Sequence, residues 1–156
     1  MRKRFANDNE YYLFAPAQLF EKTGMPDALF EVDSKGTLVG SSSIFATARD
    51  YARFGLLYLQ DGVFNGERIL PEGWVRYTTT PAAHSNGTFG ASFWLNKGKL
   101  YPSAPADMFF CNGHNGQRIF ILPSQQLIIV VLGYSPKPES VMDFDTLLRD
   151  ILSTLN

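Results

Sequence analysis

The stretch QRIFILPSQQLIIVVLG, residues 117–133, decides the fold of this chain. It contains two apolar runs, residues 117–122 and 127–132, which are separated by the sequence Pro-Ser-Gln-Gln. Short runs rich in Ile, Val and Phe on either side of a turn are typical of paired β-strands. The stretch therefore predicts a β-hairpin whose strands contribute to the core.

Two helices are predicted on either side of this hairpin. In the first, residues 47–60, Thr47 is a candidate N-cap and Asp50 completes a variant of the capping box. Its broad apolar surface indicates a buried helix, and Gly55 in its middle predicts the close approach of a neighbouring element. The second is an amphipathic helix over residues 141–155. The order of these elements along the chain, helices first, then strands and then a helix, predicts an α+β fold with an antiparallel sheet flanked by helices.

Shorter elements complete the pattern, and the whole chain of 156 residues corresponds to one domain or a fragment of one. They are a helix over 15–22, a helix over 71–77, a strand over 89–95 and two tight turns, at 34–36 and 65–66. Gly24 suits the position just after the first of these helices, and Pro71 suits the first turn of the second.

Composition and charge exclude several classes of function. The formal net charge is −1, which argues against nucleic-acid binding because that function needs a basic face. Two His and one Cys argue against a structural zinc site, and one Cys cannot form an internal disulfide. No run approaches the ~18 apolar residues of a membrane span, and no apolar segment follows the basic start. We therefore expect a cytoplasmic protein without a membrane span; an upstream signal missing from this chain would make it periplasmic instead.

The segment Gly113-His114-Asn115-Gly116-Gln117, called the GHNGQ loop below, is the main candidate site. It leads directly into the hairpin, and its two glycines would let a substrate approach the backbone closely. His114 could bind or polarise an anionic group. A tight turn with a surface His is the alternative, and spacing alone leaves both interpretations open.

Other residues with reactive side chains are interpreted as structural. Gly40-Ser41-Ser42-Ser43 precedes a helix, and none of its serines has a general base at a recognisable spacing. Cys111 lies among apolar residues and is interpreted as a small buried hydrophobe. His84 lies in a polar loop, where we expect it to be solvated.

Five segments occur in an order and spacing that resemble one known superfamily. They are residues 19–25, 42–55, 59–74, 90–95 and 113–133. Together they resemble the serine β-lactamase-related hydrolases, which include class C β-lactamases, penicillin-binding proteins, related esterases and 6-aminohexanoate-dimer hydrolases. The resemblance covers roughly residues 11–155 and implies a partial β-lactamase/transpeptidase-like fold. His-x-Gly stands where the β-lactamases usually carry Lys-Thr-Gly, so the esterase and amide-hydrolase branch is the most similar. Lys22-Thr23-Gly24 spells that triplet but ends a helix, so it is interpreted as a helix cap.

The resemblance implies roles for the members of the GHNGQ loop. His114 would take the place of the family's Lys and face a substrate carboxylate or the acyl site. Asn115 and Gly116 would line a strand edge that aligns the substrate, with Gly113 keeping the backbone accessible. The backbone N–H of Gln117 would be one oxyanion-hole donor. No cofactor and no metal are implied.

The nucleophile motif of the family does not occur in this sequence. That nucleophile is the Ser of Ser-x-x-Lys, and no Ser here has a Lys three residues later; Tyr-x-Asn and Ser-x-Asn are also absent. Because both motifs lie upstream in the family, the resemblance implies the C-terminal portion of a serine hydrolase that acts on a small amide or ester. A missing N-terminal half would expose a sheet edge, which predicts either binding of that half or self-association. The alternative is a non-catalytic binding or assembly module, or an inactive remnant of the fold.

Overall fold

The computed structural model describes residues 2–40, 42–135 and 142–155 and confirms the α+β class. The helices are α1 (Asp8–Ala15), α2 (Ala48–Leu59), α3 (Trp74–Thr78) and α4 (Phe144–Ser153). The strands are β1 (Leu29–Phe30), β2 (Ile44–Phe45), β3 (Val63–Phe64), β4 (Glu67–Arg68), β5 (Trp94–Leu95), β6 (Phe109–Asn112), β7 (Arg118–Leu122) and β8 (Leu127–Val131). The first four strands form two antiparallel ribbons, β1–β2 and β3–β4, and the last four form one antiparallel sheet in the order β5-β6-β7-β8.

The predicted hairpin forms one side of this sheet, with β7 inside the sheet and β8 at its edge. β7 and β8 pair from Arg118 opposite Val131 to Leu122 opposite Leu127. Because successive side chains of a strand point to opposite faces, β6 and β7 supply two separate cores. One contains Ile119 and lies on the α2 side, and the other contains Phe120 and lies on the α4 side. The sheet is therefore covered by helices on both faces.

Helix α2 confirms the local prediction in detail. The Thr47 side chain accepts the Asp50 N–H, and the Asp50 carboxylate accepts the Thr47 N–H, so the capping box is complete. A Cβ on Gly55 would lie 2.9 Å from Cγ2 of Ile128 on β8. The predicted reason for this glycine, a closely packed neighbour, is thus confirmed. Much of the outer surface of α2 is half-buried, whereas Leu57 and Tyr58 are buried.

Three element boundaries predicted from the sequence are wrong. The first helix begins at Asp8, not at residue 15, because Asn7 caps it and accepts the Glu10 N–H; a π-helical turn, Pro16–Phe20, then extends it. Helix α3 begins at Trp74, not at Pro71, because Gly73 before it is left-handed (φ 76°). The strand predicted over residues 89–95 is reduced to β5, since the chain turns tightly before Trp94.

Other local predictions are confirmed. Gly24 (φ 65°) follows the first helix in the left-handed conformation, and Asn65 and Gly66 form the left-handed turn between β3 and β4. Helix α4 covers most of the predicted terminal helix; Val141, where that prediction began, lies outside the described residues. Within the described ranges, no helix combines the length and the apolar character that crossing a membrane requires.

Candidate functional site

The GHNGQ loop joins β6 to β7 at one end of the sheet. Its base is closed by the Gly113 N–H, which donates to the Gln117 carbonyl at 2.8 Å. Between them, His114–Gly116 form a 3-10 turn in which Asn115 (φ 54°) and Gly116 (φ 88°) are left-handed. A Cβ on Gly113 would lie 3.0 Å from the Cβ of Gln117, so a glycine is what allows the base to be this narrow.

Most carbonyl groups of the loop accept a hydrogen bond from inside the protein. The His114 carbonyl accepts from the backbone N–H of Gln117 at 3.4 Å and from its side-chain amide at 3.2 Å. The Asn115 carbonyl accepts the N–H of Ser135, which follows β8, at 3.0 Å. Arg118 donates to the two carbonyls at the base of the loop. The loop is therefore held in place by hydrogen bonds that its carbonyl oxygens accept from the rest of the protein.

Most backbone N–H groups of the loop, unlike its carbonyl groups, have no hydrogen-bond partner among the described residues. The backbone N–H groups of His114, Asn115 and Gly116 have no acceptor among the described residues. The Gln117 N–H makes only the long 3.4 Å bond within the turn. Successive unpaired N–H groups beside left-handed residues are typical of anion-binding backbone concavities. This arrangement can receive a carbonyl oxygen that acquires negative charge.

The side chains of the predicted site lie on the same turn. His114 is exposed, and its imidazole makes no hydrogen bond to the described part of the chain. Asn115 and Gln117 are half-buried. The structure thus places an accessible imidazole beside the unpaired N–H groups.

Strand β6 leads into the loop with one side of its backbone uncovered. β5 pairs only with Phe109 and Phe110, so the next two residues, Cys111 and Asn112, pair with β7 alone among the described strands. A backbone edge of this kind can accept an extended ligand as an added strand. The free edge and the GHNGQ loop are continuous.

The other motifs of the sequence form no hydrogen bond to the GHNGQ loop among the described residues. Ser42 and Ser43 make no hydrogen bond to the GHNGQ loop, and Ser41 lies outside the described residues. Thr23 is buried and donates from Oγ1 to the Leu19 carbonyl, which fits the helix end predicted for the Lys22-Thr23-Gly24 triplet.

Neither Cys111 nor His84 has the features of a reactive group. Burial raises the pKa of the Cys111 thiol to about 12, so the nucleophilic thiolate is scarce at neutral pH. His84 is exposed in a loop and left-handed (φ 63°). Among the described residues, no group of three or more His, Cys, Asp or Glu side chains is placed to hold a metal ion.

The motifs recognised in the sequence do not include Arg118, the residue that holds the base of the loop. It is 6% exposed, and its guanidinium lies 4.7 Å from the ring centroid of Phe144, the first residue of α4. A signal was available, because Arg118 is the only charged residue in the apolar run 118–122. A cation at a core position needs partners, and here these are backbone carbonyls and an aromatic ring.

A separate cleft of about 380 Å³ lies at the opposite end of the sheet. Phe109 at the start of β6 and Pro123 after β7 line it, together with Tyr58, Arg76 and Lys97. The GHNGQ loop joins the other ends of these two strands, so the cleft and the predicted site are distinct.

Comparisons to known proteins agree with the fold. The Beta-lactamase family model matches residues 4–153, so this chain belongs to the β-lactamase family, which confirms the resemblance seen in its motifs. A curated relative, the 6-aminohexanoate-dimer hydrolase of Paenarthrobacter ureafaciens, is 25% identical over 126 residues. That match spans 73% of this chain and 31% of the relative.

Solved structures show the same fold at lower sequence identity. A Bacillus anthracis protein assigned as a 6-aminohexanoate-dimer hydrolase is similar with a TM-score of 0.65 and 24% identity, covering 91% of this chain and 36% of its own. A β-lactamase from Mycobacterium bovis is similar with a TM-score of 0.70 and 16% identity, covering 93% and 56% respectively. The chain thus spans only about a third to a half of the length of these relatives.

Proposed function

We propose that this chain is the C-terminal, substrate-aligning portion of a serine hydrolase that cleaves a small amide or ester bond. The observation that carries the proposal is the continuity of the free edge of β6 with the unpaired N–H groups of the GHNGQ loop. An edge orients the substrate backbone, and preorganised N–H groups stabilise the oxyanion of the tetrahedral intermediate. Both features lie in the chain, whereas a Ser-x-x-Lys nucleophile does not.

The roles follow from position in the loop. The Gln117 N–H is one oxyanion donor, since its 3.4 Å bond to the His114 carbonyl is weak enough to be exchanged for a bond to substrate. His114 faces a substrate carboxylate or the acyl group. Asn115 and Gly116 line the edge, and Gly113 keeps its backbone open.

The nucleophile comes from a segment outside this chain. Its serine oxygen attacks the substrate carbonyl, the leaving amine or alcohol departs with a proton, and water then hydrolyses the acyl-enzyme. The relative from P. ureafaciens is a 6-aminohexanoate-dimer hydrolase, which favours a small amide as substrate. No cofactor takes part.

The surface of the chain supports such a partner segment. β8 pairs only with β7 in the described part of the chain, so one edge of the sheet is open. Beside it, Ile128 and the outer face of α2 line a shallow groove of about 310 Å³. We propose that the nucleophile-bearing half of a β-lactamase-like domain covers this surface, since the relatives are two to three times as long as the matched region.

A non-catalytic binding module is the alternative function. The observation that favours it is the lack of Ser-x-x-Lys in the sequence. Such a module would use the same edge and loop to bind an extended ligand without cleaving it.

The deciding experiment is a chimera in which this chain replaces the matching segment of the P. ureafaciens hydrolase. We expect the folded chimera to hydrolyse the linear dimer of 6-aminohexanoate, whereas this chain alone neither hydrolyses it nor reacts with a fluorophosphonate probe. A folded but inactive chimera would contradict the catalytic proposal. Stoichiometric labelling of a serine in the chain alone would contradict the external nucleophile.

A second measurement uses this chain alone and does not depend on catalysis. Titration with the linear dimer should shift the backbone amide resonances of β6 and the GHNGQ loop. The matched control is Gly116→Val, which places a branched residue at φ 88° and should abolish these shifts. Shifts confined instead to the Arg76 and Lys97 cleft would contradict the proposed site.

A further inference from the structure

We infer that Arg118 is the positioning residue of the GHNGQ loop: it holds the loop in the conformation that leaves the backbone N–H groups of His114, Asn115 and Gly116 free. The catalytic consequence of this inference rests on the proposed function, but its structural content does not. The guanidinium of Arg118 donates to carbonyl groups at the base of the loop and not to the free N–H groups, so it acts through the backbone of the loop.

The guanidinium of Arg118 lies at the base of the loop and bonds to both of its ends. One guanidinium nitrogen of Arg118, Nη1, donates to the Gln117 carbonyl at 2.9 Å and to the Gly113 carbonyl at 3.3 Å. These two residues are also joined by the 2.8 Å bond from the Gly113 N–H to the Gln117 carbonyl. A single cation therefore bridges the two ends of the loop and turns their carbonyls toward the protein interior.

The charged side chain of Arg118 is buried in the protein. Arg118 is 6% exposed, and its Nε is buried without a hydrogen-bond partner among the described residues. No carboxylate of the described residues forms a salt bridge with it. Burying a cation is costly unless it is well satisfied, so a charge at this position is poorly explained by stability alone. An apolar residue would serve the core better, which points to a role in the loop.

The guanidinium of Arg118 is itself held in place by an aromatic ring. It lies 4.7 Å from the ring centroid of Phe144, which is buried in the core on the α4 side of the sheet. Ring and cation are held by packing, and a planar donor fork is preorganised. The loop is thus linked through Arg118 to the first turn of α4.

Arg118 and Ser135 together fix the carbonyl groups of the loop. The Ser135 N–H fixes the Asn115 carbonyl at 3.0 Å, while Arg118 fixes the two ends of the loop. With these acceptors bound on the inside, the turn presents the N–H groups of His114, Asn115 and Gly116 without a partner among the described residues. A site needs its donors fixed before substrate arrives, and buried neighbours supply that rigidity.

Hydrogen exchange of the backbone amides in this chain tests the inference. In Arg118→Met, which keeps the apolar volume and removes the donors, we expect the Gly113 and Ser135 amides to exchange about tenfold faster. Amides in the centre of the sheet, such as that of Phe120, should keep their protection. The matched control is Phe144→Leu, which leaves the donors of Arg118 in place and should accelerate the same amides less.

Chemical rescue separates positioning from space filling. In Arg118→Ala, added methylguanidinium should slow exchange of the Gly113 amide, because it restores a planar donor, whereas methylammonium should not. If Arg118→Met keeps the loop protected, the side chain only fills space and the inference is overturned. If Arg118→Ala does not fold, the Met variant alone decides.

The consequence for catalysis is measured in the active chimera. Arg118→Met should lower kcat with little change in KM, since it disturbs donors that act in the transition state. Unchanged exchange in the loop would overturn the inference and leave the proposed function standing. Conversely, an inactive chimera whose loop responds to Arg118 substitution would overturn the proposed function alone.

Discussion

The N-terminal region (residues 2–47) and the sheet region (α2 through β8, with α4) bury apolar side chains to very different extents. In the sheet region, Phe120, Ile121 and Leu122 are fully buried. In the described part of the N-terminal region, Leu29 is 58% exposed and Phe14 is 45% exposed. Both regions are apolar in sequence, so composition does not cause the difference.

The difference shows that the two regions obtain their stability differently. The sheet region has a core on each face, supplied by its own helices. The N-terminal region buries only a few side chains, among them Tyr11, Phe20 and Met25, and these belong to neither core. Large exposed apolar side chains in one area indicate a surface that another segment covers. The sheet region therefore has cores of its own, whereas the N-terminal region leaves a larger share of its large apolar side chains exposed.

The strongest test of this comparison is a matched pair of Phe→Ala substitutions. Phe120→Ala removes a fully buried ring that contacts other aromatic rings and should lower the free energy of unfolding by about 3–5 kcal/mol. Phe14→Ala, on the exposed face of α1, should lower it by less than about 1 kcal/mol. Urea denaturation of the two variants measures both values. Equal losses would contradict the division into two regions.

The second test addresses the contact between α2 and β8. Gly55→Val should lower the free energy of unfolding by about 1–3 kcal/mol, because its side chain would overlap Cγ2 of Ile128, 2.9 Å from the Cβ position. The double variant Gly55→Val with Ile128→Ala should recover part of the loss. An additive double variant, measured by a double-mutant cycle, would show that the two sites are not coupled.

The parts of the fold that the sequence predicts are those specified locally. The capping box of α2 and the β7–β8 hairpin depend on residues close together in the chain, and both are confirmed. The start of α1 has an equally local signal, Asn7 followed three residues later by Glu10, which the predicted helix over residues 15–22 leaves out. The short length of β5 could not be predicted from local residues. The strand begins only at Trp94, because the chain before it turns and brings Phe89 opposite Trp94.

The candidate site was predicted only in outline. The two glycines and His114 mark the GHNGQ loop in the sequence, but the sequence does not show which of its N–H groups are unpaired. That depends on Arg118 and Ser135, which reach the loop from β7 and from the end of β8. Bonds of this kind are fixed by tertiary packing, which no local pattern encodes. The assigned roles of the loop residues accordingly stay predictions.

The third test asks whether the sheet region also carries the activity. In the chimera, His114→Ala and Gly116→Val should each lower kcat/KM at least tenfold, about 1.4 kcal/mol of transition-state stabilisation, with the fold retained. Lys22→Ala in the N-terminal region is the control and should change kcat/KM less than about twofold, since among the described residues Lys22 forms an exposed ion pair with Glu67 alone. The reverse result would move the site to the Lys22-Thr23-Gly24 triplet.

The smallest effect is expected from the charge of Asp50, which lies where the two regions meet. Its salt-bridge partner Arg53 packs against Gly24 of the N-terminal region. Burial opposes ionisation of Asp50, but hydrogen bonds from Thr47 and Arg53 outweigh it and lower the pKa of this carboxyl below the ordinary 3.8. The unfolded chain therefore binds the proton more readily than the folded protein does. The contribution of Asp50 to stability is consequently present above about pH 4 and is lost as pH falls through the lower pKa of the folded state.

The variant Asp50→Asn measures that contribution. It keeps the shape and removes the charge at the N-terminus of α2, so it should lower the free energy of unfolding by about 1 kcal/mol near neutral pH. The difference in unfolding free energy between this variant and the unsubstituted chain should narrow steadily in urea denaturation below about pH 4. The carboxyl is protonated first in the unfolded chain and, at lower pH, in the folded protein as well. Asp33→Asn is the control from the N-terminal region: hydrogen bonds from the Thr37 and Lys35 amides lower the pKa of Asp33, but it is exposed and solvated. At neutral pH, Asp50→Asn should therefore lower the free energy of unfolding more than Asp33→Asn does. If the loss caused by Asp50→Asn grew on acidification, the charge of Asp50 would destabilise α2.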